Sequence, residues 1–477
     1  MNNVLLISSE CYPAAKAGGM GDVVGALPIY LPQHSIEASA IIPKYKTKWF
    51  AENTFEIVYS GQFNIGNEIQ SFTVEKPVKN KLKFPFYVLS LKGLFDRESI
   101  YLADDGRGFR DEPKRNIAFQ IAVLEWLIQS NRRFDIIHVH DHMTGLIPFF
   151  MDYCPSYSKL KGTPTIFTIH NGSYRGEFAW NEVEEFLPEF DNENRGLLDW
   201  DGKVNSLATA IKCSWVVNTV SPSYMLELIK DSGGIKRLYE SELKKCTGVL
   251  NGIDNELWDP RTDPYLSYNL EDNWTRFKSK NKSNILTKYD LVSRRPVIGF
   301  IGRFAYQKGA DLLFDVIDLA LISGMKFNVV VLGSGDKKIE SKLIDLAHKY
   351  PKYVGAEIAY NEELAHQIYA GCDFLIMPSR FEPCGLNQLY AMRYGTVPIA
   401  SHVGGLKDTV LDISKDGEGF VIDELNEEGL VFAIERALTF YKDKKELTKI
   451  IKRISDLDYS WSYSSGKYAE LYFKHIK

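Results

Sequence analysis

The chain reads as an α/β protein made of two doubly wound domains that face each other across a cleft. Three observations predict this. Short β-branched runs alternate with helical stretches in the first half, the second half repeats that rhythm, and the loops richest in glycine and charge follow strands in both halves. Such alternation implies βαβ units and parallel sheets covered on both faces. Ligands then bind at the carboxyl ends of the strands.

Taken in order, strands are expected at residues 4–7, 36–42, 86–91, 136–139, 165–169 and 216–220, with helices at 21–31, 114–129, 203–212 and 222–230. In the second half, strands at 297–301, 328–332, 374–377 and 397–400 alternate with helices at 310–322, 337–348, 362–370 and 386–393. The turn-rich segment 251–260 marks a boundary, followed by a polar, aromatic stretch at 265–282. The domains are therefore expected at 1–250 and 251–456, with 457–477 a terminal helix, amphipathic over 461–475, that crosses back to the first.

Bulk properties narrow the function classes. At 477 residues the chain holds two or three domains, and 45% hydrophobic with 25% charged residues is a soluble globular composition. A net charge of −5 argues against a nucleic-acid binder, whose footprint is basic. Six cysteines (Cys11, Cys154, Cys213, Cys246, Cys372, Cys384) form no CxxC pair, which favours reduced thiols. No apolar run reaches the length of a membrane helix, and the start lacks the basic region of a signal peptide, so a cytoplasmic protein with no membrane partner is expected.

Four loops carry chemistry. Ser379-Arg-Phe-Glu-Pro-Cys-Gly-Leu-Asn-Gln-Leu389 joins a strand to a helix, where unpaired N–H groups attract anions, and it adds the carboxylate of Glu382. An ordinary capped loop would need only Pro383 and Gly385. Lys16-Ala-Gly-Gly-Met-Gly-Asp22 follows the first strand and lets backbone approach a ligand; it matches neither a Walker A loop nor GxGxxG, and plain structural punctuation is its other reading. Gly302-Arg-Phe-Ala-Tyr-Gln-Lys-Gly309 places Arg303 and Lys308 five apart, so both can converge on the phosphates of a nucleoside diphosphate. His138-Val-His-Asp-His-Met143 and Thr168-Ile-His-Asn171 end neighbouring strands. The histidine spacing is not that of a catalytic zinc, so no metal is expected; Asp141 and His170 instead suit a sugar's hydroxyls.

These segments, together with Thr219-Val-Ser-Pro222, Leu250-Asn-Gly-Ile-Asp254 and Gly404-Gly-Leu-Lys-Asp-Thr409, resemble the bacterial glycogen synthase and plant starch synthase family, in the family's order and over nearly the whole chain. The resemblance implies a GT-B fold of two Rossmann-like domains. It implies transfer of glucose from ADP-glucose to the non-reducing end of an α-1,4-glucan such as glycogen, with retention of configuration, no cofactor and no metal. Lys16, with Gly18 and Gly19, matches the donor-binding turn. Asp141 and His170 match residues at the glucosyl unit, Arg303 and Lys308 the pair on the departing diphosphate, and Glu382 the carboxylate beside the sugar. Cys384, Gly385 and Leu386 match further donor positions, Tyr360 resembles the aromatic at the nucleobase, and Tyr101 stands where the family has an aromatic in the cleft.

Departures from the family pattern are His142 after the HxHD aspartate, Arg175 in Gly172-Ser-Tyr-Arg175, Ala208 where lysine is common, Asn387 after Cys-Gly-Leu, and His402-Val403 before Gly-Gly-Leu. They leave three readings to separate: the ADP-glucose enzyme, the same chemistry with UDP-glucose or a short glucan acceptor, and a non-catalytic glucan-binding paralogue.

Overall fold

In a computed structural model that describes residues 2–103, 106–231 and 233–476, nine strands form the sheet of the first of two units. They are β1 (Asn2–Ile7), β2 (Ile36–Pro43), β3 (Phe55–Ile65), β4 (Glu68–Pro77), β5 (Phe86–Ser90), β6 (Ile136–His140), β7 (Thr165–Ile169), β11 (Val216–Thr219) and β12 (Cys246–Gly248). Their order is β12-β11-β7-β6-β1-β2-β5-β4-β3, parallel except where β4 pairs antiparallel with β5 and β3. Three short strands, β8 (Glu177–Ala179), β9 (Asp199–Trp200) and β10 (Lys203–Asn205), make a separate sheet. This unit comprises Met1–Val220, Met225–Val249 and Trp461–Lys477.

The second unit, Ser221–Tyr224 with Leu250–Ser460, holds β13 (Val297–Ile301), β14 (Asn328–Gly333), β15 (Val354–Ile358), β16 (Phe374–Met377), β17 (Val397–Ser401) and β18 (Phe420–Ile422). They lie in the all-parallel order β15-β14-β13-β16-β17-β18. Apolar side chains dominate these strands because both sheet faces are covered. Val329, Val330 and Val331 are all 0% exposed, and each such burial contributes about 1.5–3 kcal/mol.

The parallel part of each large sheet has one place where the chain order reverses. In the first unit β1 pairs with β2 on one side and β6 on the other; in the second, β13 lies between β14 and β16. The crevice at the carboxyl ends of such a strand pair is the ligand position of doubly wound folds. The loops after β1, β6, β13 and β16 are the ones the sequence singles out.

Several elements differ from expectation. The stretch 203–212 is not one helix: Lys203–Asn205 is strand β10, and the helix Ser206–Cys213 starts where the Asn205 side chain accepts from the Ala208 N–H. The segment read as a polar stretch runs into the helix Trp274–Lys288. Its buried face includes Lys278 and Asn281, which bond to backbone carbonyls, so polar residues interrupt the apolar stripe that marks a helix. The hairpin β3–β4 also went unpredicted, because most of β3 faces solvent and shows little apolar alternation. Its turn is closed by Gly66 at φ +58°.

The last helix, Trp461–Phe473, is fixed within the first unit. Gln33 Nε2 donates to Ser462 O and Ser465 Oγ, and Tyr472 meets His138. Among the described residues no helix is long and apolar enough to cross a membrane.

Candidate active site

In the first unit the turn after β1 is organised by a residue that the sequence did not single out. Glu10, 2% exposed, points its Oε2 at two backbone N–H groups of the glycine-rich turn, Ala17 at 2.6 Å and Gly18 at 2.9 Å. Its Oε1 accepts from the hydroxyl of Tyr101, which also meets Ser9 Oγ at 3.2 Å. Lys16 extends past this turn to pair with Asp22 at 2.7 Å and stays partly exposed. Gly18 caps the helix Gly19–Tyr30, and a Cβ on Gly18 or Gly19 would meet no atom within 4 Å, so the space over the turn is open.

Asp141 follows β6 with φ +56° and ψ 176°, a conformation costly for a residue with a Cβ. What holds it there is reciprocal bonding: its N–H donates to Thr168 O, and its Oδ1 accepts from the backbone N–H of His170 at 2.7 Å and of Asn171 at 3.4 Å. Desolvation pushes the Asp141 carboxyl up to about 6, against the lowering effect of those N–H groups and of His142; the charge of Glu10 adds to the rise.

Behind Asp141 three histidine rings are buried. His138 and His140 stack at 4.1 Å, and His140 Nδ1 lies 2.9 Å from His170 Nε2. Burial drives His138 and His170 down to about 3 and His140 well below its ordinary value, so all three are neutral at pH 7.

In the second unit the loops after β13 and β16 meet. Lys308 Nζ lies 2.5 Å from Glu382 Oε2, which also accepts from Ser379 Oγ at 3.1 Å. Glu382 is 6% exposed. Arg303 is exposed, reaches only Gln307 Oε1 at 3.4 Å, and forms no ion pair among the described residues. Gln307 ties the loops together, since its Nε2 donates to Phe381 O and its carbonyl accepts from Arg380 N–H. Gly309, at φ +68°, is required there: a Cβ would stand 2.0 Å from Pro378 O.

Gly385 at φ +74° turns the chain into the helix Asn387–Arg393, which has only seven residues. So short a helix sums few peptide dipoles. Cys384 is buried, and desolvation pushes its thiol up to about 12, so it stays a neutral thiol. Asn387 donates to Ile301 O and is tied to the sheet.

The predicted residues therefore fall into two sets, Lys16, Gly18, Gly19, Asp141 and His170 in one unit and Arg303, Lys308, Glu382, Cys384, Gly385 and Leu386 in the other. Tyr360, just beyond β15, is 90% exposed. His142 bonds Glu112 Oε1 at 3.3 Å rather than joining the ring stack. Glu10, three residues past the end of β1, carries no sequence pattern that marks it. A cavity of about 300 Å³ lined by Asn3, Arg132, Arg133, Asp135 and Lys159 lies at the amino ends of β1 and β6, at the opposite end of these strands from Asp141.

Two doubly wound units with cation- and carboxylate-bearing loops at their switch points define a glycosyltransferase of the GT-B fold. Residues 3–242 match the starch synthase catalytic domain, and residues 281–454 match the glycosyl transferases group 1 family. The chain is 43% identical over 468 residues to the glycogen synthase of Flavobacterium johnsoniae, with 98% of both chains covered. It is 35% identical to that of Thermodesulfovibrio yellowstonii, covering 98% of this chain and 96% of the relative. The catalytic domain of starch synthase IV from Arabidopsis thaliana, solved bound to ADP and acarbose, superposes with TM-score 0.87 at 31% identity, covering 100% and 99% of the two chains. A sucrose-phosphate synthase from Thermosynechococcus elongatus shares the fold at TM-score 0.62 and 17% identity, covering 99% of each chain. The chain belongs to the glycogen and starch synthase family.

Proposed function

We propose that this enzyme transfers glucose from ADP-glucose to the non-reducing end of an α-1,4-glucan, glycogen being the expected acceptor, with retention of configuration. The observation that carries the reading is the pairing of Lys308 with buried Glu382 beside an Arg303 that has no ion-pair partner among the described residues. The relatives' names and the ADP held by the Arabidopsis enzyme support it.

As the bond to the anomeric carbon breaks, negative charge grows on the departing diphosphate and positive charge on the sugar. In this reading Arg303 and Lys308 meet the first charge, already in place and needing no reorganisation; one such donor is worth about 10²–10³ in rate. Glu382 balances the cation and positions the sugar. Held by Lys308 and Ser379, its Oε2 is a weakened nucleophile, which favours a front-face path without a covalent intermediate. The acceptor hydroxyl then passes its proton to a phosphate oxygen of the leaving nucleotide as its own oxygen bonds the anomeric carbon. Asp141 and His170 hold the glucosyl hydroxyls, and Lys16 with Gly18 and Gly19 serves the donor's phosphates.

One observation favours keeping a second donor in view. Tyr360 is exposed and offers a ring face, and stacking on an aromatic face is tolerant of which base it meets. The test is the initial rate of nucleotide release with ADP-glucose and with UDP-glucose, with glycogen or a short maltooligosaccharide as acceptor. ADP release dependent on glycogen supports the proposal; preferential UDP release replaces the donor, and glycogen binding with no release from either donor removes the activity.

A further inference from the structure

The geometry points to His140 as a positioning residue that fixes the tautomer of His170, so that His170 presents its Nδ1 as an N–H donor to the sugar. The inference deepens the proposed role of His170 at the glucosyl unit and rests on that reading.

The argument is an accounting of protons. His140 and His170 are each neutral, so each ring carries one N–H and one lone pair. They share a bond between His140 Nδ1 and His170 Nε2 at 2.9 Å, while His140 Nε2 and His170 Nδ1 are buried with no partner among the described residues. Only two arrangements satisfy the shared bond. If His170 Nε2–H donates, the remaining proton of His140 sits on its Nε2, an unpaired N–H on a residue 0% exposed, where no ligand can reach it. If His140 Nδ1–H donates, the remaining proton of His170 sits on Nδ1; that atom is itself covered, but its residue follows the carboxyl end of β7 and keeps 8% exposure, unlike His140. Buried N–H donors without partners are rare, because each costs its full desolvation, whereas an unpaired lone pair is tolerated more often. A sugar oxygen at Nδ1 thus completes the second arrangement and leaves only a lone pair unmet on His140.

The rest of the stack keeps His140 in that role. His138 stacks on it at 4.1 Å, with the ring planes 29° apart, and is itself fixed from both edges, by Tyr472 at Nδ1 and by Thr168 at Nε2, each 2.7 Å away. Asn218 steadies Thr168 through a 3.1 Å bond to its hydroxyl. His140 therefore cannot turn to spend its Nδ1–H elsewhere without breaking the stack.

The test uses the full-length enzyme with 15N-labelled histidine, the His170 signals being assigned by loss in His170→Asn. In the wild type, His170 shows a protonated Nδ1 and a bare, accepting Nε2. His140→Phe keeps a flat ring in the stack but removes the donor. It is expected to let His170 Nε2 take the proton and to lower kcat about tenfold, the weight of one hydrogen bond, while circular dichroism stays native. His140→Asn, whose amide nitrogen falls near the position of Nδ1, restores both the wild-type signature and most of the rate. A wild-type His170 protonated on Nε2, or a His140→Phe enzyme with unchanged tautomer and unchanged kcat, overturns the inference. Because the tautomer is read without substrate, an enzyme that turned over no donor at all would refute the proposed function and still leave this question decided.

Discussion

Lys308 Nζ sits 2.5 Å from Glu382 Oε2, and the two residues come from loops that follow different strands, β13 and β16. The contact closes the switch point of the second unit. It also couples stability to function, because Glu382 is buried and its charge is matched chiefly by that ammonium.

Removing one partner of this pair is predicted to destabilise the second unit as well as slow the enzyme, since a buried carboxylate left unpaired costs about 3–5 kcal/mol. The double variant Lys308→Met/Glu382→Gln has no unpaired charge. Its thermal midpoint is expected to recover most of the loss of Lys308→Met while its turnover does not. A double variant that recovers turnover as well would make the pair purely structural.

Glu10→Gln keeps the shape of the side chain and removes its charge. The N–H groups of Ala17 and Gly18 then face a neutral acceptor, and the bond from Tyr101 weakens. A loss of about 1–2 kcal/mol in denaturant stability is expected from charge-assisted bonds becoming neutral ones, together with a higher KM for the nucleotide sugar. Unchanged stability and KM would show that the turn holds its shape without Glu10.

Gly309→Ala should be severe for its size. The residue stands at φ +68°, and the new Cβ would be 2.0 Å from Pro378 O. Backbone must shift, and both loops that carry Arg303, Lys308 and Glu382 shift with it. The expected result is a fall in melting temperature and in kcat together; a fall in neither would mean that the loops tolerate the displacement.

The pH dependence of stability has a definite sign. His138 and His170 are held near 3 by burial, far below the ordinary histidine value of 6.5. Below pH 6.5 the unfolded chain takes up protons that the folded chain refuses, so stability falls as pH falls, by about 1.4 kcal/mol per pH unit for each ring. Asp141 works in the other direction. Raised from 3.8 to about 6, it binds its proton earlier in the folded state and adds stability as pH drops through that window. Denaturation of wild type and His138→Phe from pH 6 to 4 should show a shallower slope in the variant, and equal slopes would mean that His138 charges in the folded protein.

Much of this was legible before any coordinates. The runs at β13 and β14 are β-branched and end at glycine, and loops between such strands and helices can hardly lie elsewhere than at the sheet edge. Arg303, Lys308 and Glu382 were found because they sit in those loops. Glu10 was not, because a single acidic residue after Ser8-Ser9 has no pattern; its importance lies in two N–H groups seven and eight residues further on. The pairing of His140 with His170 joins adjacent strands thirty residues apart, a contact set by sheet register rather than by spacing. The helix Trp274–Lys288 was hidden for another reason. Lys278, buried with its amine drawn down to about 7 by desolvation, occupies the face where an apolar residue would have announced the helix.

The central claim is that cations of the second unit accommodate the charge of a departing nucleoside diphosphate. The most direct measurement is the glycogen-dependent rate of ADP release from saturating ADP-glucose by Arg303→Ala and Lys308→Ala, with folding checked by circular dichroism. The account predicts folded enzymes whose kcat is lower by about 10²–10³ in each case. Folded variants that release ADP at the wild-type rate would contradict it.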